Sequence, residues 1–365
     1  MLFFKKITNF LIFLFLTFLF IIIFLEIYAS INTKKFPSYG WQIDNKIEDK
    51  INSCKNKSLK VVTVFGDSHV EYHGENSSNL VYQLQKNFTN NYMCNLSLSG
   101  TDTTHYIDRF LYTLESDLQF NKAIFYLSES NDFADFRYKN IEDIKYNLKN
   151  KIDRELSIIM RFVKSYYALN IIYREGVKKY LLKNKIDEEF VKEIYSNKKY
   201  KYLEAPFDDA LQRMINTPKK YKKLFSADIL NINFYKLALR NPNYFKENFG
   251  QDKNFDKQKK ITFKHLNYIN NLCQKNKIEC TIMIVPNDQF LFAEAKKKYS
   301  EIFRFNIQKE YGKSKIVKEI LKNYENIFYP DNVLEYKDYI IDDMHLTGSG
   351  NKKLAKFTHN LITNQ

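Results

Sequence analysis

Residues 59–69 read Leu-Lys-Val-Val-Thr-Val-Phe-Gly-Asp-Ser-His. The first seven form a short, β-branched, apolar run stopped by Gly66, the pattern of a strand buried on both faces. Strands of that kind belong to parallel sheets whose two faces are covered by helices. The neighbouring sequence supplies the helices and further strands. Helical spacing over 77–88 leads to a second strand over 93–98 that ends at Gly100, and a helix over 106–118 leads to a third strand over 123–127. The alternation then stops. It resumes with a helix over 260–274, a strand over 279–285 closed by Pro286-Asn287, helices from Gln289 and near 314–323, a short strand over 327–329, and a terminal helix from about Gly350 to Ile362. Strands alternating with helices predict an α/β fold with three layers, α/β/α, around a parallel sheet.

The interval between these two halves, 137–259, is rich in Lys, Tyr and Leu at helical spacing and poor in turn signals, and reads as a helical insertion. Upstream of Leu59, residues 31–58 carry Pro37, Gly40 and mixed charge, which reads as a linker. Before that, Ile7 to Leu25 is uncharged and apolar but for Thr8, Asn9 and Thr17. As a helix rising about 1.5 Å per residue it spans roughly 30 Å, the thickness of a bilayer's hydrocarbon. Lys5 and Lys6 precede it and Glu26 follows, so the positive-inside bias places Met1 in the cytoplasm and the rest of the chain outside. A cleavable signal peptide has an apolar stretch of about 7 to 15 residues and an Ala-x-Ala-like site; here the stretch is longer and only Ile27-Tyr28-Ala29 offers a poor one. The expected organisation is therefore a cytoplasmic tip and anchor over 1–30, the linker over 31–58, a first part of the domain over 59–136, the insertion over 137–259 and a second part over 260–365. The expected location is the inner membrane, single-pass, with the domain in the periplasm.

The chain has 365 residues, 44% of them hydrophobic, and a formal charge of +15. That size supports a sizeable core. The excess Lys is scattered among Glu and Asp, as in Lys192-Glu193 and Lys309-Glu310, and no nucleic-acid motif accompanies it, so solvated surfaces account for the charge. Cys54, Cys94, Cys273 and Cys280 are an even count in an oxidising compartment. If they oxidise, the pairing follows chain order, Cys54 with Cys94 and Cys273 with Cys280; four free thiols fit the sequence equally. With no CxxC, a zinc ribbon and a thioredoxin-like motif are excluded.

In an open parallel sheet, ligands bind outside the carboxyl ends of the strands. Polar clusters stand at those ends: Gly66-Asp67-Ser68-His69, Ser97-Leu98-Ser99-Gly100 and Ser128-Glu129-Ser130-Asn131-Asp132, with Asp342-Asp343-Met344-His345 before the terminal helix. In these residues the chain resembles the SGNH (GDSL-like) hydrolases. Gly66-Asp67-Ser68 is similar to that family's first block, Asn95 to Gly100 to its second, Asn131-Asp132 to its third, and Asp342-x-x-His345 with Gly350 to its fifth. The departures are Ser130 before Asn131, the long insertion, and His69 where the family has Leu after the serine. The resemblance covers about half the chain and implies the flavodoxin-like SGNH fold with the insertion and the N-terminal transmembrane helix added.

It also implies roles. Acyl transfer needs a hydroxyl, an imidazole to take its proton, and a carboxylate to hold the imidazole; Ser68, His345 and Asp342 are the residues implied. The oxyanion donors implied are the backbone N–H groups of Ser68 and Gly100 and the side-chain amide of Asn131. No cofactor and no metal is called for. His69 and His73 stand four apart but lack a clear third ligand for zinc. Asp102-x-x-His105 repeats the base spacing and is a rival to the pair before the terminal helix, where the family places its own; Asp343 is an understudy for Asp342. Met344, Leu346 and Leu354 read as packing. The expected activity is that of a serine esterase or O-acyltransferase on small acyl esters, acetyl above all, of an extracytoplasmic glycan. Its partners would be that acylated glycan or small ester and the membrane, with no nucleic acid; any transferase activity would require an acyl donor supplied from outside or by a separate multi-span partner. The alternatives are a lipid esterase and a non-catalytic glycan-binding or assembly subunit that keeps the fold.

Overall fold

The computed structural model describes residues 2–31, 41–55, 57–71, 79–129, 132, 255–303, 312–340 and 344–363. The chain divides into two compact units, Met1–Lys46 with Lys149–Asn184, and Ile47–Leu148 with Lys185–Gln365. The insertion read over 137–259 lies outside the described residues up to residue 254.

In the first unit, helix α1 (Leu2–Ile31) covers the apolar N-terminal run. The Thr17 hydroxyl donates to Phe13 O within the helix at 2.8 Å, so this polar group needs no outside partner. Phe10, Phe13, Phe20 and Phe24 are among its exposed side chains. The side chains described run over 8–24 and 27, and among the described residues no helix is long and apolar enough to cross a membrane.

The second unit is built on a five-stranded, all-parallel sheet in the order β2-β1-β3-β4-β5. Its strands are β1 (Lys60–Phe65), β2 (Asn91–Asn95), β3 (Phe120–Ser128), β4 (Glu279–Val285) and β5 (Ile327–Phe328). The order is compatible with a flavodoxin-like winding. The part of helix α2 (Trp41–Lys55) from Ile47 onward comes first, followed after β1 by α3 (Ser68–Glu71) and α4 (Leu80–Asn87), and after β2 by α5 (Thr103–Glu115). Next come α6 (Phe255–Lys275), α7 (Asp288–Leu291), α8 (Ala293–Phe303) and α9 (Gly312–Asn323), then a 3-10 turn at Tyr336–Asp338 and α10 (Gly348–Thr363).

Side chains alternate between the faces of a strand, and the core follows. Val62, Val64, Ile124, Tyr126, Met283 and Val285 share one cluster with Leu84 of α4 and Leu354 of α10. On the other face Phe65 stacks on Phe125 at 4.8 Å between ring centroids and meets Phe110 of α5 edge-on at 5.5 Å. Leu346 and Leu354 pack in the first of these clusters, as the sequence reading had them.

Several element bounds differ from the sequence reading, and two of the differences bear on the site. The segment taken as a linker holds α2, whose Ile47, Ile51 and Cys54 are buried. Cys54 pairs with Cys94 of β2 and Cys273 with Cys280, at Cα–Cα distances of 5.8 and 6.1 Å, inside the usual disulfide range. The second strand begins two residues earlier than read and ends at Asn95, but its backbone still follows β1: Leu96 N–H donates to Val64 O at 2.8 Å and Leu98 N–H to Gly66 O at 3.1 Å.

Candidate active site

Strand order reverses between β1 and β3, and a sheet of this kind opens a crevice at the carboxyl ends of the strands flanking that point. Gly66-Asp67-Ser68 leaves β1 there and turns at once into α3. The turn is tight: a Cβ on Gly66 would lie 2.3 Å from Val70 Cγ2. Asp67 is buried; its carbonyl accepts from Val70 and Glu71 N–H, and its carboxylate accepts from His69 N–H at 2.9 Å.

His345 arrives from the other end of the chain. Its ring Nε2 lies 2.8 Å from Ser68 Oγ across 277 residues of sequence, the geometry for a hydroxyl donating to a neutral imidazole. Its loop is pinned on both sides: Ile340 N–H donates to His345 O at 2.8 Å, Tyr339 and Leu346 form an antiparallel bridge, and Thr347 N–H donates to Asp338 O at 2.8 Å. Met344, just before the histidine, sits in the left-handed region at φ 57°, which a side chain adopts at some cost. Asn287 Nδ2 and Gln289 Nε2 donate to its sulfur at 3.3 and 3.2 Å. Met344 is buried, as the packing reading had it, and its sulfur takes these two amides as well.

The remaining site residues sort as follows. His69 stacks on His345 at 4.6 Å between ring centroids, and its Nε2 lies 3.2 Å from Ser128 Oγ at the end of β3. His73, the other half of the spacing weighed for zinc, lies outside the described residues, among which no cluster of three metal-ligating side chains occurs. Gly100 is at φ 72°, a conformation suited to glycine, in the loop that follows Leu98 past Gly66. Asp342, Asp343 and Asn131 lie outside the described residues. The rival pair has another occupation: Asp102 is the N-cap of α5, its carboxylate accepting from Thr104 and His105 N–H, and His105 Nδ1 completes a capping box by accepting from Asp102 N–H at 3.3 Å. Of the two histidines, the structure brings His345 to Ser68.

Beneath the site lies a buried network that sequence reasoning missed. Arg109 of α5 donates to Gly66 O at 3.0 Å and to Thr101 Oγ1 at 3.2 Å. One turn earlier, the Tyr106 hydroxyl donates to Asp132 Oδ2 at 2.9 Å, an oxygen that also accepts from Ser128 N–H at 2.6 Å. One helix thus ties together the loops after β1, β2 and β3. Burial, then the nearby Asp67, pushes the Asp132 carboxyl well above its ordinary value, and burial lowers Arg109. Glu129, fully buried, accepts from the Tyr329 hydroxyl at 2.8 Å and from Asn287 N–H at 3.4 Å. The positional signal for Arg109 was weak: a basic residue in an amphipathic helix reads as a solvated one.

No protein-family model matches the chain, and no curated protein matches it. The chemistry is read from the site itself: a serine at a sharp strand-to-helix turn, in contact with an imidazole, at the mouth of a parallel sheet.

Proposed function

We propose that this chain is a membrane-anchored, extracytoplasmic serine esterase or O-acyltransferase of the SGNH type. The observation that carries the reading is the 2.8 Å approach of His345 Nε2 to Ser68 Oγ at the point where strand order reverses. In the reaction, Ser68 Oγ attacks the acyl carbonyl carbon while its proton passes to His345 Nε2. The tetrahedral intermediate then collapses, and the alkoxide leaves with that proton. The acyl-serine is released by the reverse sequence, with water as acceptor in an esterase or a glycan hydroxyl in a transferase. Asp342 would hold the imidazole in its tautomer, and Ser68 N–H, Gly100 N–H and the Asn131 amide would receive the oxyanion. None of these steps needs a cofactor or a metal.

The location rests on two supports. All four cysteines are paired, which fits an oxidising compartment. Helix α1 presents Phe10, Phe13 and Phe20 at 61, 65 and 71% exposure, an apolar display suited to lipid. The substrate class follows the family resemblance and this layout: a small acyl group, acetyl, on a surface glycan. A single span cannot carry an activated acyl group through the bilayer, so a transferase would draw on a donor from a multi-span partner. The test is release of p-nitrophenol from p-nitrophenyl acetate, and of acetate from acetylated glycan, by the detergent-solubilised chain. Turnover lost in Ser68→Ala supports the reading. Glycan binding without turnover, unchanged by Ser68→Ala, would replace it with a binding subunit.

A further inference from the structure

The catalytic reading leaves one charged cluster beside the site without a task. Glu71 ends the four-residue α3 that Ser68 begins. One of its carboxylate oxygens accepts from Ser99 N–H at 2.6 Å, and the other takes Lys50 Nζ of α2 at 3.1 Å. The same ammonium donates to Ser97 O at 2.5 Å. Lys50 and Glu71 side chains are 20 and 11% exposed, so the pair is largely out of water, where a charge-assisted hydrogen bond is at its stronger end. Residues four apart share a helix face, and Cys54, four residues beyond Lys50, is disulfide-bonded to Cys94 of β2. Helix α2 is thus held at Cys94 and again at Ser97, on the same run of chain that leads to Gly100.

We infer that Glu71 and Lys50 are positioning residues that fix the peptide groups of Ser97 to Gly100, and with them the oxyanion-binding N–H of Gly100; the inference rests on the acyl-transfer reading above. Gly100 is at φ 72°, and a Cβ there would meet nothing within 4 Å. Side-chain packing at Gly100 therefore does not hold its peptide, and its orientation has to come from the flanking residues. Ser99, the residue before it, is the one whose N–H Glu71 takes. Lys50 balances the carboxylate and grips the carbonyl two residues earlier. A donor displaced by about 1 Å can cost on the order of a hundredfold in rate, so a clamp of this kind acts on turnover more than on ground-state binding.

The test uses the full chain in detergent with p-nitrophenyl acetate. Glu71→Ala should lower kcat at least tenfold with KM nearly unchanged. Glu71→Gln keeps a carbonyl acceptor for Ser99 N–H and should recover most of that loss, and Lys50→Met should fall between. A purely structural role would lower the melting temperature alike in Glu71→Ala and Glu71→Gln without separating kcat from KM. Hydrogen exchange at the Ser99 amide reads the clamp without turnover: slow in the wild type, fast in Glu71→Ala, intermediate in Lys50→Met. If Glu71→Ala leaves both kcat and Ser99 exchange at wild-type values while Ser68→Ala abolishes turnover, the positioning inference is wrong and the active site stands. If Ser68→Ala leaves turnover intact, the acyl-transfer reading fails first, and Ser99 exchange alone decides whether the clamp exists. Should Glu71→Ala not fold, Glu71→Gln and Lys50→Met carry the same comparison.

Discussion

A serine hydroxyl is a weak nucleophile near neutral pH, and the contact between Ser68 and His345 gives its proton a destination. Groups that act as a unit do not lose their contributions additively. Ser68→Ala and His345→Ala should therefore each remove nearly all ester turnover, and the double variant should be no worse, whereas His105→Ala, which acts at the cap of α5, should stay within severalfold of wild type. If Asn131 is the oxyanion donor proposed above, Asn131→Ala should cut kcat on the order of a hundredfold with little change in KM, and Asn131→Asp should do at least as much damage, since it replaces a donor by a carboxylate. His265 gives a separate, pH-dependent outcome. Buried in α6, with Nδ1 2.8 Å from Thr103 Oγ1, it is pushed down to about 4 by burial, with Asp102 pulling the other way and Lys264 adding to the fall. A base with a depressed native pKa is protonated more readily when unfolded, so its neutral burial stabilises the fold above about pH 6.5. That contribution is lost as pH falls toward 4, by up to about 3 kcal/mol. In urea melts, His265→Asn should flatten the acid limb relative to wild type. Ser68 was legible in the sequence because a polar residue stands where an apolar run stops, and His345 through the resemblance of Asp342-x-x-His345 to a family block before the terminal helix. Arg109, Tyr106 and Glu71 were not, because their partners lie in other loops and a charged side chain on a helix looks the same whether it meets water or a carbonyl.

At the level of elements, α10 and the 3-10 turn meet without clearance. A Cβ on Gly350 would stand 2.4 Å from Asp338 O, and Asp338 also takes Ser349 Oγ and Lys353 Nζ at 3.0 and 2.7 Å. Gly350→Ala should cost about 1–3 kcal/mol by overpacking, seen as a lowered melting temperature. Because Asp338 O also receives Thr347 N–H beside the His345 loop, kcat should fall with it. The sheet strands were readable almost to the residue at β4, which the sequence placed over 279–285. Element starts were less so. Helix α5 begins at Thr103, three residues earlier than read, because Asp102 caps it; a cap is a local hydrogen bond that apolar spacing does not record. In α2, Ile47, Ile51 and Cys54 recur at helical spacing, a periodicity that the linker reading, made on Pro37, Gly40 and mixed charge, did not register.

For the whole molecule, the anchor proposed above has a direction: Lys5 and Lys6 stand ahead of the uncharged run, and the positive-inside bias would keep them in the cytoplasm. A reporter active only outside the cytoplasm, fused after Gln365, should be active, and the chain should leave the membrane fraction with detergent and not with high salt. The opposite pattern would remove the compartment, and the glycan reading with it. The parallel sheet has a further consequence, in time rather than in space. Its centre is β3 against β4, and the flanking Lys122 and Glu279, paired in register and bridged at 2.8 Å, are 157 residues apart. At synthesis rates of about 5–20 residues per second, the second strand follows the first by roughly 8 to 30 s. Until β4 arrives, β3 lacks its partner, and any sheet formed by β1, β2 and β3 has a second open edge there, prone to pair with a neighbouring chain. Yield should therefore be limited by escort of the half-made sheet: holdase depletion should lower the recovered protein, and slower elongation should deepen the loss.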